Sequence, residues 1–270
     1  MKTSLPTRFA CVVLVGGIAA IFGAAQTEKP KAPDDKAEQI VKKTVQVVGG
    51  DRYLQVQTVI GRGLFTDYKD GFSQIPIKFV DYISYPDKER TEFTGGGART
   101  IQTNIHGSGW IFDGAAKTLK DQSAQQLEEF RMATRVGIEN LLRGWWRSQN
   151  ATLSYVGRRE AGIGRRNETV RLTYADGFWI EYEFSADDNL PAKILYQRKQ
   201  KKPDSDEVED VSEEDRLHKP ITIGGITAPF IIDHYRNGTQ TSRIAYDSVE
   251  YNKAVPDSLF AKPANIKVIK

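Results

Sequence analysis

The stretch Asp176-Gly177-Phe178-Trp179-Ile180-Glu181-Tyr182-Glu183-Phe184 opens with a turn dipeptide and then alternates strictly. Phe178, Ile180, Tyr182 and Phe184 fall on one face, and Trp179, Glu181 and Glu183 on the other, which is the period of a β-strand with one wet side. The pattern repeats on both sides of this stretch. Upstream, Val170, Leu172 and Tyr174 alternate, as do Ile75, Ile77 and Phe79 ahead of Tyr82 and Tyr85. Leu54, Val56, Thr58 and Ile60 alternate with Tyr53, Gln55 and Gln57, so a long strand is expected from Tyr53. Downstream, Asn189-Leu190-Pro191 turns into Ala192–Arg198, and Asn237-Gly238 joins Phe230–Arg236 to Arg243–Tyr251. Asp70-Gly71, Pro86-Asp87, Gly95-Gly96-Gly97, Gly107–Gly109, Asp113-Gly114 and Gly162-Ile163-Gly164 supply further turns. Ten to twelve strands in an antiparallel meander follow, with no repeated βαβ unit.

Two segments change the period from 2 to 3.6. Asp34 or Asp35 caps a helix running to about Val48, whose stripe is Ile40, Val41, Thr44, Val47 and Val48 and whose end is Gly49-Gly50. A long helix is expected from Ser123 to Trp146, with Leu127, Phe130, Thr134, Ile138, Leu141, Leu142 and Trp145 on one side. Trp145 and Trp146 are adjacent and diverge by about 100° on a helix, so one enters a core and the other lies on a rim, a cavity or a partner. The fold class is therefore mainly β (α+β): a curved antiparallel half-barrel, an unclosed β-barrel, with helices covering its concave face. Residues 197–220, basic first and acidic after, are too charged to bury surface and read as a long hairpin loop or mobile excursion.

At the N-terminus, Lys2 and Arg8 precede the apolar run Phe9–Ala25, and polar Gln26-Thr27-Glu28 follows. That order reads as an export signal over residues 1–25, then a linker over 26–33, then a single domain over 34–270. Without Lys2 and Arg8 the net charge falls from +3 to +1, so nucleic acid is not an electrostatically favoured partner. The one cysteine, Cys11, lies inside the signal and ahead of its apolar core. The exported chain therefore has no disulfide, thiol nucleophile or thiolate metal site, and lipid attachment to Cys11 is not supported.

No catalytic constellation emerges. His106, His218 and His234 lack metal-ligand spacing, Ser108 is a turn serine, and Glu181 and Glu183 share a strand face as solvated side chains roughly 7 Å apart. The glycine clusters lack a phosphate loop's lysine and following helix. Neither a metal nor a cofactor is expected. An exported hydrolase would need Ser108 or a carboxylate pair to meet His106 or His234.

Several segments taken in order resemble the periplasmic lipoprotein-carrier superfamily, the LolA-like and LppX-like fold of outer membrane lipoprotein-sorting relatives. They are the leading apolar run, the helix ending Val47-Val48-Gly49-Gly50, Tyr85-Pro86-Asp87-Lys88-Glu89-Arg90-Thr91-Glu92 and Gly109-Trp110-Ile111-Phe112-Asp113-Gly114. Asn189-Leu190-Pro191-Ala192-Lys193-Ile194, Ser248-Val249-Glu250-Tyr251-Asn252 and Pro256-Asp257-Ser258-Leu259-Phe260 complete the series. The resemblance implies a non-enzymatic, periplasmic, monomeric carrier that binds lipid or lipoprotein acyl chains inside the half-barrel and touches membranes transiently. On that reading Ile75, Ile77, Phe79, Phe178, Ile180, Tyr182 and Phe184 line the apolar cavity, and Trp145 or Trp146 closes its mouth. The alternatives are a plain packed core at those positions, and an envelope interaction or sensor module that docks another envelope protein.

Overall fold

The computed structural model describes residues 34–201, 207–264 and 267–268. The proposed signal and linker lie outside the described residues. Helix α1 (Asp35–Val48) starts where expected, because the Asp34 carboxylate accepts from the Lys36 amide at 3.0 Å. The other Asp34 oxygen accepts from the Tyr155 amide at 3.1 Å, so the cap also pins the helix to the sheet. Ala37, Ile40, Val41, Thr44 and Val48 are buried at three- and four-residue steps.

The strand expected from Tyr53 begins later. Asp51–Leu54 is a short helical turn, α2, and Val56 is buried in the core ahead of strand β1 (Thr58–Lys69). The Arg143 guanidinium satisfies this detour, donating to the carbonyls of Tyr53, Leu54 and Val56 at 3.0, 3.2 and 3.0 Å. Those carbonyls then need no neighbouring strand.

The strands after β1 are β2 (Phe72–Ser73), β3 (Ile77–Ser84), β4 (Lys88–Gly95), β5 (Ala98–Ile105), β6 (Ser108–Asp113) and β7 (Thr118–Asp121). A second meander follows: β8 (Thr152–Glu160), β9 (Arg166–Thr173), β10 (Trp179–Ser185), β11 (Pro191–Lys201), β12 (Val208–Ile223), β13 (Ile226–Arg236) and β14 (Thr239–Tyr251). The chain ends in the short β15 (Lys267–Val268). Among the described residues there are fifteen strands, more than the ten to twelve expected. Fourteen form one path, β15-β7-β6-β5-β4-β3-β1-β14-β13-β12-β11-β10-β9-β8, and β2 pairs with β1 beside it. The path does not close on itself: it is an unclosed antiparallel half-barrel with one short parallel pairing, β15 on β7.

Within the charged stretch 197–220, residues 197–201 and 208–220 are strand rather than loop. These residues belong to a β11–β12 ladder that pairs Lys193 with Arg216 and Lys201 with Val208. The basic block faces the acidic one, so Arg198 donates to Glu213 at 3.0 Å and Lys199 to Asp210 at 3.2 Å. Charge blocks that repel within themselves attract across an antiparallel pair, an effect that local composition does not reveal.

The long helix expected over 123–146 is broken twice. Helix α3 (Ala124–Val136) starts at a capping box of Ser123 and Gln126. Gly137 then turns extended, with ψ 147°, and caps α4 (Ile138–Leu142). Gly144 adopts the left-handed φ of 73°, and Trp145–Gln149 form a 3-10 turn. The path of this segment follows from topology. Strands β7 and β8 lie near opposite ends of the strand order, so their helical connection crosses the open side of the half-barrel.

Candidate functional site: the concave face

The concave face divides into a packed part and an uncovered part. Over β8–β11, helices α1 and α4 and the 3-10 turn bury Leu153, Val170, Leu172, Ile180, Tyr182, Phe184 and Ile194 beneath Ile40, Val41, Leu141, Leu142 and Trp146. Ile180 and Tyr182 are 0 % exposed and Phe184 is 1 %, and the Tyr182 hydroxyl donates to the Val136 carbonyl at 3.1 Å. Three of the residues assigned to cavity lining by alternation are thus consumed by helix packing. Phe178 stands just before β10, half-buried against Tyr174 and Tyr196.

The other row fares differently. Ile75 lies outside β3 and is 89 % exposed beside the similarly exposed Phe72, so it is not an inward residue. Its alternation with Ile77 is broken because Ile75-Pro76 leads into the strand rather than belonging to it. Ile77 and Phe79 do face inward. In register, Ile77 pairs with Phe65 and Phe79 with Gly63, while Phe93 pairs with Phe79, Tyr246 with Gly63 and Ile244 with Phe65. Ile232 pairs with Ile244 and with Leu217, which packs on the helix-covered core and so fixes this strip on the concave side. Phe79 and Phe230 each meet the Tyr246 ring edge-on, at 5.5 and 6.2 Å, and Phe65 meets Phe93 at 5.7 Å. Phe65, Ile77, Phe93, Ile232, Ile244 and Tyr246 all remain half-buried.

Two glycines shape this strip. A Cβ on Gly61 would stand 2.7 Å from the Tyr246 ring, and one on Gly63 would stand 2.1 Å from the Ala245 carbonyl oxygen at the β1 bulge. Only bare backbone lets the ring lie across β1. Helix α3 buries just Gln126 and Val136, and Leu127 and Phe130 on its apolar side stay half-buried. Ion pairs from Arg198 to Glu129 (2.9 Å) and from Arg135 to Asp176 (3.0 Å) tether the helix at its flanks.

The two indoles separate as their divergence requires. Trp146 is 3 % exposed in the core and donates to the Leu141 carbonyl at 3.2 Å. Trp145 lies half-buried against Tyr85 at 5.7 Å, with Arg143 over the rings of Tyr53, Tyr85 and Trp145.

A polar group that the alternation did not reveal adjoins the apolar strip. Asp81 pairs with Thr91 and Gly61, and Glu89 with Ile83 and Asn104, which puts both carboxyls on the concave face. The Thr91 hydroxyl is 2.9 Å from Asp81 Oδ1 and 3.3 Å from Glu89 Oε1. Loss of solvent, followed by Glu89's proximity, pushes Asp81 well above the usual carboxylate range, and loss of solvent raises Glu89. Desolvation also raises Glu139 on α4 despite Arg143, and burial beside Glu139 pushes Tyr251 up to about 12.

The convex face holds ion pairs. Glu181 and Glu183, expected to be solvated, are 1 % and 2 % exposed. Arg171 and Arg159 close over Glu181, and Asn167 donates to Glu183 at 2.9 Å. Burial raises the Glu181 carboxyl, but the hydrogen bonds from Arg159 and Arg171 outweigh it and hold the group below its ordinary range. Such carboxylates are neutralised structural elements rather than a glycosidase pair. Ser108 is engaged elsewhere than with a histidine: its hydroxyl donates to the Ile105 carbonyl at 2.8 Å, while His106 meets Asp87 at 2.7 Å. Asp215, His234 and Ser242 stand in register across β12, β13 and β14, with His234 Nδ1 on Asp215, but Ser242 is 2 % exposed and presents no face to a substrate. Among the described residues no cluster of three or more metal-ligating side chains occurs.

An unclosed antiparallel half-barrel, strapped by helices across its open side, defines a class of architecture. Comparison with solved structures places it as the LolA-like fold. A DUF1329 family protein from Desulfovibrio piger superposes with a TM-score of 0.55 at 13% identity, covering 84% of this chain and 98% of that one. A LolA superfamily protein from Nitrosomonas europaea gives 0.52 at 14% identity, covering 84% and 97%. No protein-family model and no curated protein matches the chain.

Proposed function

We propose that this protein is a non-enzymatic, periplasmic binder or carrier of lipid or lipoprotein acyl chains. On this reading residues 1–25 are its export signal and residues 34–270 a single domain. The observation that carries the reading is the concave strip of Phe65, Ile77, Phe79, Phe93, Ile232, Ile244 and Tyr246, apolar yet for the most part only half-buried. A core would bury such residues completely; a surface that receives a hydrocarbon chain keeps them accessible and desolvates them on binding. The LolA-like fold supports the same conclusion by analogy.

The test is to purify the protein from its host envelope, extract it with organic solvent and identify bound lipid by mass spectrometry, with titration of a twelve-carbon alcohol in parallel. Lipid should be recovered, and Phe93→Glu, which sets a carboxylate into the strip, should lose it while keeping the native circular dichroism spectrum. Absence of lipid from the extract together with absence of alcohol binding in solution would overturn the reading.

A further inference from the structure

We propose that Asp81, Glu89 and Asn104 form a site for a primary ammonium group at the edge of the apolar strip, so that the favoured ligand is a cationic amphiphile. The inference rests on the acyl-chain reading of the strip and specifies the polar end of the molecule that occupies it. Three observations meet here. First, the two carboxyls share one hydroxyl. Thr91 has a single proton to donate and lies 2.9 Å from Asp81 Oδ1 but 3.3 Å from Glu89 Oε1, so its hydroxyl can serve only one of the two carboxyls at a time.

Second, neither carboxyl has an ion-pair partner among the described residues, although the other buried acids on the sheet, Glu181, Glu183 and Asp233, meet an Arg or Lys. Third, Asn104 stands directly across from Glu89 in the β4–β5 register, is 2 % exposed, and its Oδ1 has no hydrogen-bond partner among the described residues. A buried amide oxygen without a donor is costly unless something supplies one.

A primary ammonium carries three N–H donors and a positive charge. Asp81, Glu89 and Asn104 offer acceptors on one sheet face, with no ion-pair partner for either carboxyl among the described residues. Phe79 and Phe93 flank Asp81 and Thr91 two residues along β3 and β4, so an alkyl chain leaving the site runs directly onto the strip. In the empty site, burial drives both groups toward their protonated forms. An arriving ammonium brings one positive charge, so one carboxyl releases its proton to solvent while the pair keeps the other. The three N–H groups then donate to the resulting carboxylate, to the second carboxyl and to Asn104 Oδ1.

The same group is presented by a phosphatidylethanolamine headgroup and by a free alkylamine, and the experiment separates them. The probes for calorimetric titration are dodecylamine, dodecanol, butylamine, and short-chain phosphatidylethanolamine against phosphatidylglycerol. Dodecylamine should bind tenfold to a hundredfold tighter than dodecanol, on the order expected for charged hydrogen bonds. In Asp81→Asn/Glu89→Gln that preference should vanish with dodecanol affinity unchanged. Preference for phosphatidylethanolamine over phosphatidylglycerol assigns a lipid source; preference confined to dodecylamine assigns a free amine.

Equal affinity for amine and alcohol in the native protein, or a preference that survives in the double variant, overturns the proposal. Should the variant not fold, carbon-13 carboxyl resonances of the native protein serve instead. Dodecylamine must move at least one of those of Asp81 and Glu89 toward its ionised position and dodecanol must not; unmoved resonances overturn it equally. Failure of every twelve-carbon probe to bind refutes the acyl-chain reading, and the ammonium site is then judged by butylamine and the same resonances.

Discussion

Replacing each of the adjacent indoles by alanine should give sharply unequal losses of stability. Trp146 is 3 % exposed within the core formed by α1, α4 and β8–β11, so Trp146→Ala opens a large cavity at about 3–5 kcal/mol. Its lost hydrogen bond adds little. The Leu141 carbonyl it serves also accepts from the Gly144 amide at 3.1 Å and is not orphaned. Trp145 is half-buried, and its principal contacts are the tilted Tyr85 ring at 5.7 Å and the Arg143 guanidinium at 5.7 Å. Trp145→Ala should therefore cost about 1–2 kcal/mol, the scale of one aromatic pair and one weak cation–π contact. The gap of roughly 2 kcal/mol is measurable as a shift of the urea midpoint at constant slope, or as about 4–8 °C in Tm, since a chain of this size loses about 2–4 °C per kcal/mol. Far-ultraviolet circular dichroism is the right probe, because fluorescence would report the removed chromophore. Equal losses, or a larger loss for Trp145→Ala, would refute the division of core and rim between the two indoles.

Acid pairs on the two faces should respond to pH in opposite senses. Glu181, held below its ordinary value of 4.5, contributes stability above that value that fades as pH falls. Glu181→Gln should thus cost about 1–2 kcal/mol at neutral pH, discounted for the partial exposure of Arg159 and Arg171, and almost nothing in acid. Asp81 and Glu89 are raised, so their contribution is full below their ordinary values of 3.8 and 4.5 and is lost as pH climbs through their raised ones. Asp81→Asn/Glu89→Gln should be the more stable protein at neutral pH, and thermal melts showing an unchanged pH slope would contradict this. Arg198→Ala removes the bonds to Glu213 and Glu129, and amide exchange should accelerate in α3 while the β8–β10 core stays protected. Gly63→Ala forces a methyl group onto the Ala245 carbonyl, and a clear loss of Tm is expected; no loss would mean the β1 bulge can open.

Alternation is legible wherever one strand face is apolar, which is why the meander, the first helix and the half-barrel could be read ahead of the structure. Burial of the opposite face is not. Glu181 and Glu183 look solvated because the arginines that cover them lie on β8 and β9, beyond any local window. The charged ladder of β11 and β12 was hidden for the same reason, since its blocks cancel only when folded against each other. The site was legible in part. Ile77 and Phe79 belong to the concave strip, but Ile180, Tyr182 and Phe184 carry the same pattern and are taken up by packing, because alternation gives a side but not what lies above it. Phe65, Phe93 and Tyr246 enter through strand register, for which the glycines at 61 and 63 were the one local sign.

The pairing of β1 with β14 has a kinetic consequence. It joins Val59 to Tyr251 and is the seam between a meander built from β3 to β7 and another built from β8 to β14. Each meander is assembled from neighbours in the chain and can form early, but the seam closes a loop that spans most of the polypeptide and carries the entropy cost of doing so. Until Tyr251 arrives, β1 is an unpaired edge, and the chain is held back from its final shape by its own strand order. If the chain is exported as proposed, that delay keeps it unfolded while it is threaded across a membrane, and the delay comes from topology alone.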